Sequence, residues 1–255
     1  MHKNYGKILG TILFILLISC ILYLTFFSIK KINKGNIEMV EISGNKLLNE
    51  NDYLMFTRLN DLSFNHNIPL RVIKDRFEKH PYISRVDVEE NGNKTKIILS
   101  EKKIMAVILN NSEPYFLTED FQVLPLFSDT KLVDLPIIRN LSENYQIKPL
   151  NFIKNSDVLD AFKIIDAAKK TNMDIYKRIS EIDLRKGGDI ILNLTGIKTP
   201  IVFGRGEEAR KMIYLEIILD GILDGNSLIQ ESDYIDLRFA NEVYIKQTEI
   251  TGLSE

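Results

Sequence analysis

The chain has 255 residues, 45% of them hydrophobic and 27% charged. That is enough to bury a core in one or two domains and too apolar for a disordered tail. The net charge of −2 is unevenly spread: the first 34 residues carry five lysines (Lys3, Lys7, Lys30, Lys31, Lys34) and no acid, which leaves 28 basic against 35 acidic groups in the rest. So acidic a body is poorly suited to a phosphate backbone, and nucleic acid is not an expected partner. The one cysteine, Cys20, allows no internal disulfide, so the fold must rest on packing.

Residues 1–7 read as a short tail. Ile8 to Ile29 then contains no charged residue. As a helix this run would extend ~33 Å, enough for a hydrocarbon core of about 30 Å. It is longer than the apolar part of a cleavable signal peptide and lacks a small-residue cleavage site. Leu17-Ile18-Ser19-Cys20 has the form of a lipoprotein attachment site. The apolar run continues past Cys20, however, which favours an uncleaved anchor over 8–29, with a lipoprotein anchored at Cys20 as the alternative. Lys3 and Lys7 before the run, against Lys30, Lys31 and Lys34 after it, give no orientation from charge alone.

The next elements alternate in period. Asn36 to Ile42 reads as a strand and Gly44-Asn45 as a turn. Asn49 suits the N-cap of a helix carrying Tyr53, Leu54 and Phe56. Pro69 suits the start of a second helix, with Leu70, Ile73 and Phe77 on one face and Pro81 ending it. Ser84 to Glu90 and Lys96 to Leu99 read as strands around the polar turn Asn91-Gly92-Asn93, forming a hairpin.

Further on, Val107–Leu109, Tyr115–Leu117 and Val123–Leu126 read as short strands. Asp157 to Lys170 is an amphipathic helix with Val158, Phe162, Ile165 and Ala168 on one side. Ile179–Leu184 and Ile190–Leu194 flank a glycine turn at Lys186-Gly187-Gly188-Asp189. Ile201 to Gly204 is another strand. Glu207 to Leu223 is a second long helix, with Glu207 and Glu208 at its positive end.

Several of these stretches resemble one family. Lys79-His80-Pro81-Tyr82-Ile83-Ser84-Arg85-Val86-Asp87-Val88 is similar to the "HPyV…a.V" signature of a POTRA domain. Val40-Glu41-Ile42-Ser43-Gly44-Asn45 resembles its opening, and Ser100-Glu101-Lys102-Lys103-Ile104-Met105-Ala106 its close, with Ile104 where the family often has proline. Leu135-Pro136-Ile137-Ile138 and the late segment Tyr234 to Tyr244 resemble further segments of the bacterial cell-division family FtsQ/DivIB, and the likeness covers about residues 8–247. It implies an α+β chain: a transmembrane helix, a POTRA domain (βααββ) over 36–104, a mostly antiparallel β domain with two long helices over 105–250, and a tail over 251–255. It also implies a single-pass protein of the cytoplasmic (inner) membrane with its large part outside the cytoplasm. There it would act as a scaffold at the division septum, joining FtsB- and FtsL-like membrane proteins and other divisome components and helping control septal peptidoglycan synthesis. A POTRA-type chaperone of envelope assembly or secretion is the other reading, although no run of evenly alternating membrane-spanning strands follows.

Catalytic signatures are missing. The three histidines (His2, His66, His80) have no Cys/His metal spacing around them, and neither a Walker loop nor Gly-x-Ser-x-Gly occurs. Gly204-Arg205-Gly206 reads as a tight turn rather than a dinucleotide loop. Asp183, Asp189 and Asp236 lie on or near strands without an evident base. His80 reads as the cap of the second helix's C-terminal end. No enzyme, metal or cofactor is therefore expected. The expected partner site is one late edge strand made of Asp236, Leu237, Arg238, Phe239, Ala240, Asn241, Glu242, Val243, Tyr244 and Ile245. Ile235, Leu237 and Phe239 would face inward, and Arg238 would offer its donor fork to a partner carboxylate.

Overall fold

The computed structural model describes residues 5–30, 39–60, 68–91, 94–131, 133–142, 145–223 and 232–247. Its first element is helix α1, Tyr5–Lys30. The side chains described along it, 9–25, are all exposed, among them Leu9, Phe14, Leu17 and Leu24. Among the described residues no helix is long and apolar enough to cross a membrane. The expected span over 8–29 runs past the described side chains at both ends.

The strand–helix–helix–strand–strand order expected next is observed as β1 (Met39–Ser43), α2 (Glu50–Thr57), α3 (Leu70–Glu78), β2 (Ile83–Asn91) and β3 (Lys94–Glu101). The sheet order is β1-β3-β2, with β1 parallel to β3 and β2 antiparallel to it. A parallel pair cannot be closed by a tight turn, and here the two helices make the crossover. The expected strand start at residue 36 and the turn residues Gly92 and Asn93 lie outside the described residues.

Local chemistry fixes each boundary. The Asp52 carboxylate accepts the Asn49 backbone N–H at 3.1 Å, closing one half of a capping box. α2 ends at Arg58, whose φ of 57° is left-handed. Pro69 directly precedes α3, which buries Ile73 and Phe77 against the sheet. Gly44 has a φ of +84°, and a Cβ there would lie 2.1 Å from the Leu99 carbonyl oxygen, so only glycine fits. The Glu101 carboxylate accepts the backbone N–H groups of Lys46 and Leu47 and the Tyr53 hydroxyl, tying the loop after β1 to the end of β3. Phe56 is about half exposed, its ring lying over that of His80.

The second sheet has nine strands: β4 (Ile104–Asn110), β5 (Glu113–Thr118), β6 (Val123–Pro125), β7 (Ile137–Arg139), β8 (Ile179–Asp183), β9 (Ile191–Leu194), β10 (Ile201–Val202), β11 (Ser232–Asp236) and β12 (Tyr244–Gln247). Their order is β12-β11-β10-β9-β8-β7-β4-β5-β6. The helices are α4 (Ser156–Thr171), α5 (Met173–Arg178) and α6 (Glu208–Leu223). Five ladders are antiparallel and three are parallel: β4 with β7, β7 with β8, and β10 with β11. The last two parallel pairs are the ones that α4–α5 and α6 bridge, as a crossover requires. α4 and α6 pack on one another over a core that includes Ile138, Val158, Ile165, Leu192, Leu215 and Ile235.

The two sheets share apolar contacts. Phe116 of β5 and Leu124 of β6 belong to the same buried cluster as Tyr53, Phe77 and Ile97. The Tyr82 hydroxyl donates to the Pro125 carbonyl at 2.9 Å and accepts the Phe127 N–H at 3.2 Å. The Lys131 N–H donates to the Leu47 carbonyl at 2.8 Å. The boundary expected between residues 104 and 105 is thus crossed by packing and by hydrogen bonds.

Candidate partner-binding edge

The segment expected as one strand is the end of β11, a turn, and the start of β12. Ile235 and Leu237 are fully buried, and the Leu237 N–H donates to the Val202 carbonyl at 2.9 Å. The chain then leaves the ladder because the Asp236 carboxylate accepts the Arg238 backbone N–H at 3.0 Å, an Asx-type turn. Arg238, Phe239, Ala240, Asn241 and Glu242 are exposed, and Val243 is half-buried. β12 returns antiparallel to β11, pairing Tyr244 with Asp236 and Ile245 with Ile235.

Two expectations are corrected here. The stretch from Asp236 to Ile245 is a hairpin, so β12 and not β11 forms the edge. Phe239, expected inward, is 50% exposed because the two-residue alternation stops at the Asp236 turn. Tyr244 is 55% exposed, and Ile245 is half-buried against the core. Among the described residues no strand lies beside β12, so its outer ladder groups face outward. The opposite edge is covered: β6 exchanges bonds with the 150–151 segment, the Val123 N–H donating to Asn151 and the Leu150 N–H to Val123.

The Arg238 fork, expected to meet a partner, is engaged within the chain. Nε and Nη2 donate to Asp236 at 2.9 and 2.5 Å, and Nη1 donates to Asp189 at 2.7 Å. Burial alone would raise the Asp236 carboxyl. Hydrogen bonds from the Arg238 side chain and backbone, with the charges of Arg238 and Lys211, instead hold it below the usual carboxylate range. The Asp236 and Asp189 bonds push the Arg238 guanidinium up.

The Gly204-Arg205-Gly206 turn is the bed for this arrangement. Gly204 has a φ of +67°, and a Cβ there would lie 2.7 Å from Cγ of Arg238, so its lack of a side chain seats the arginine stem. Arg205 pairs with Asp157 and Asp160 at 2.9 and 2.8 Å. Lys211, buried in α6, donates to the Arg205 carbonyl at 3.1 Å. Of the carboxylates noted in the sequence, Asp189 and Asp236 meet through Arg238. Asp183 lies elsewhere, accepting Asn140 at 2.8 Å and the Arg185 N–H at 2.9 Å.

His80 is buried among the rings of Tyr53, Phe56, Tyr82 and Phe127, with centroids 4.5–5.7 Å away. Its Nδ1 accepts the Tyr82 N–H at 3.1 Å. Burial first, and Lys102 second, push its pKa down to about 4. Its backbone N–H donates to the Phe77 carbonyl at the end of α3 at 2.9 Å, the donor part of the expected cap, while its side chain is a neutral core ring and not a cation. Among the described residues no group of three or more His, Cys, Asp or Glu side chains could hold a metal ion.

No family model matches the chain. Over 248 residues, 96% of this chain and 88% of the relative, it is 23% identical to the cell division protein FtsQ of Geotalea daltonii. The likeness to the FtsQ/DivIB family, read above from short motifs, extends along nearly the whole chain in this relative.

Proposed function

We propose that this chain is a non-enzymatic cell-division protein. It is held by one helix in the cytoplasmic membrane, with its large part outside, and acts as a scaffold at the septum. It binds FtsB/FtsL-like membrane proteins by strand addition and so helps control septal peptidoglycan synthesis. The observation that carries this reading is the edge strand β12, whose outer backbone groups have no neighbouring strand among the described residues. Half-exposed Tyr244 on that strand and Phe239 in the turn before it supply apolar contacts. Backbone pairing gives affinity in such an interface, and the flanking side chains give selectivity. The near full-length similarity to a protein named for cell division supports the cellular setting. The POTRA-like order of the first five elements after α1 supports the family architecture.

The anchor reading draws on the uncharged run Ile8–Ile29 and on a helix continuous over Tyr5–Lys30 with outward apolar side chains. Two measurements test the whole. The full-length chain, captured from membranes, recovers FtsB/FtsL-like proteins; recovery of β-barrel components instead would favour an assembly chaperone and sink the scaffold. A reporter active only outside the cytoplasm, fused after Glu255, gives signal. Silence rules out the topology, and a mature chain beginning at a lipidated Cys20 rules out the helical anchor.

A further inference from the structure

A cleft of about 710 Å³ opens where the two sheets meet, between the loop after β1, the end of β3, the start of β4, the chain before β7 and the last turn of α4. Leu99, Ile104, Met105 and Val133 give it apolar walls, and Val133 is 43% exposed. Four lysines line it against two glutamates. Both glutamates are engaged: Glu101 accepts the Lys46 and Leu47 N–H groups and the Tyr53 hydroxyl, and Glu119 pairs with Lys103 at 3.3 Å. Lys102 donates to the Gln122 side chain at 2.8 Å. Among the described residues, Lys46 and Lys169 have no ion pair.

Lys169 is the more specific of the two. α4 ends in two lysines. Lys170 is exposed and pairs with Asp166 at 2.7 Å, a cation at the negative end of the helix. Lys169 leans the other way: its Nζ lies 3.1 Å from Sδ of Met105 and 4.6 Å from the centre of the Tyr176 ring. A thioether and a ring face hold an ammonium in place without neutralising it. Burial pushes this ammonium below the usual lysine range, opposed from a distance by Asp166 and Glu119, each of which holds another lysine.

We propose that this cleft is a second partner site, which takes an extended peptide segment of another protein whose carboxylate meets Lys169 while a neighbouring apolar side chain covers Val133. Charge complementarity selects the acid, because the chain beyond residue 34 carries more acids than bases and this cleft reverses that balance. The apolar walls select a peptide, because a free anion would use the lysines and leave Val133 and Leu99 wet. The volume is that of a site able to enclose several side chains. Met105 and Tyr176 already orient the ammonium, so little ordering is left to oppose binding, and a bond between two charged groups is stronger than a neutral one. Five strands, β7 to β11, separate this site from β12, so it goes beyond strand addition and each can fail without the other.

The test pans a phage-displayed random dodecapeptide library on the full-length chain in detergent. The recovered peptides are then synthesised and titrated against variants whose melts match the wild type. The peptides should share an Asp or Glu next to an apolar residue. Lys169→Gln should lower their affinity about five- to tenfold, Lys169→Arg should keep most of it, and Val133→Asp should weaken it by a similar factor. Should Lys169→Gln shift the melt, Lys169→Met replaces it, since its stem still packs on Met105 and Tyr176. Recovery of no binding peptide overturns the site, as do peptides without the acid or binding that ignores both positions. An effect of Lys169→Gln without one of Val133→Asp marks a simple anion site, and the reverse marks an apolar contact that does not use the lysine; either overturns the proposal.

Discussion

His80 shows how one side chain can change meaning between sequence and structure. In the sequence it follows a helix and precedes Pro81, the setting of a C-terminal cap. In the fold four aromatic rings surround it and its Nδ1 accepts a backbone N–H, so the ring is neutral. Its pKa is pushed down to about 4, by burial first, against about 6.5 unfolded. Between those values the unfolded chain binds more protons than the folded one. The stability His80 contributes is therefore complete above about pH 6.5 and is lost as pH falls toward 4, by at most about 3 kcal/mol. A melting temperature followed from pH 7.5 to pH 4 should drop across that window. His80→Phe, which keeps a ring in the cage, should flatten the drop. An equally steep fall in the variant would mean that carboxylates elsewhere control the acid limb. Arg238 was harder to read from sequence for a related reason. Its charge and planar fork were evident, but the partners that occupy the fork, Asp189 and Asp236, come from different turns and only the sheet order brings them together.

At the scale of elements, the strongly periodic segments were legible. α3, α4 and α6 and the β2–β3 hairpin appear where the apolar spacing places them, to within a few residues. Short elements set by a single polar side chain were not. α5 exists because Asn172 both ends α4, its N–H donating to Ala168, and starts a new turn, its side chain accepting the Asp174 N–H at 2.8 Å. Similarly, the break after β11 is made by Asp236 capturing the Arg238 N–H, which alternation of apolar residues cannot reveal. The hairpin sharpens the test of the edge. In an antiparallel ladder successive residues turn their N–H alternately toward the neighbour and away from it. Proline introduced singly at Tyr244, Ile245 and Lys246 should therefore split into two classes. Where the N–H points to β11, proline lowers stability through lost pairing with Asp236, Ile235 or Tyr234. Where it points outward, proline leaves the melt nearly unchanged and abolishes strand addition. Partner binding that survives every proline with an unchanged melt would remove β12 from the interface.

For the whole molecule, the question is how independent the two sheets are. The domain partition at 104/105 follows the POTRA-like closing segment, yet the first sheet's apolar cluster draws Phe116 and Leu124 from the second. The hydroxyl of Tyr82, itself buried, finds its partners at Pro125, Phe127 and Thr130. Two opposed effects decide what residues 36–104 do alone. They retain a three-stranded sheet, two helices and most of their buried cluster, including Tyr53, Ile73, Phe77, Val86 and Ile97, which favours autonomous folding. They lose the cover over Tyr82, which costs roughly 2–5 kcal/mol for the missing apolar packing and about 1 kcal/mol for the hydroxyl bonds. A small unit has little stability to spare against such a loss. We therefore expect the 36–104 fragment to fold cooperatively but to melt well below a chain extended to residue 136, which restores Phe116, Leu124 and the segment past Phe127. Circular dichroism melts of the two fragments check this. A 36–104 fragment with no cooperative transition would defeat the partition. Equal melting temperatures would mean that the shared cluster contributes nothing across the junction. The intermediate outcome would make β5, β6 and residues 126–131 a stiff joint that holds β12, at the far edge of the nine-stranded sheet, at a fixed orientation to the first sheet.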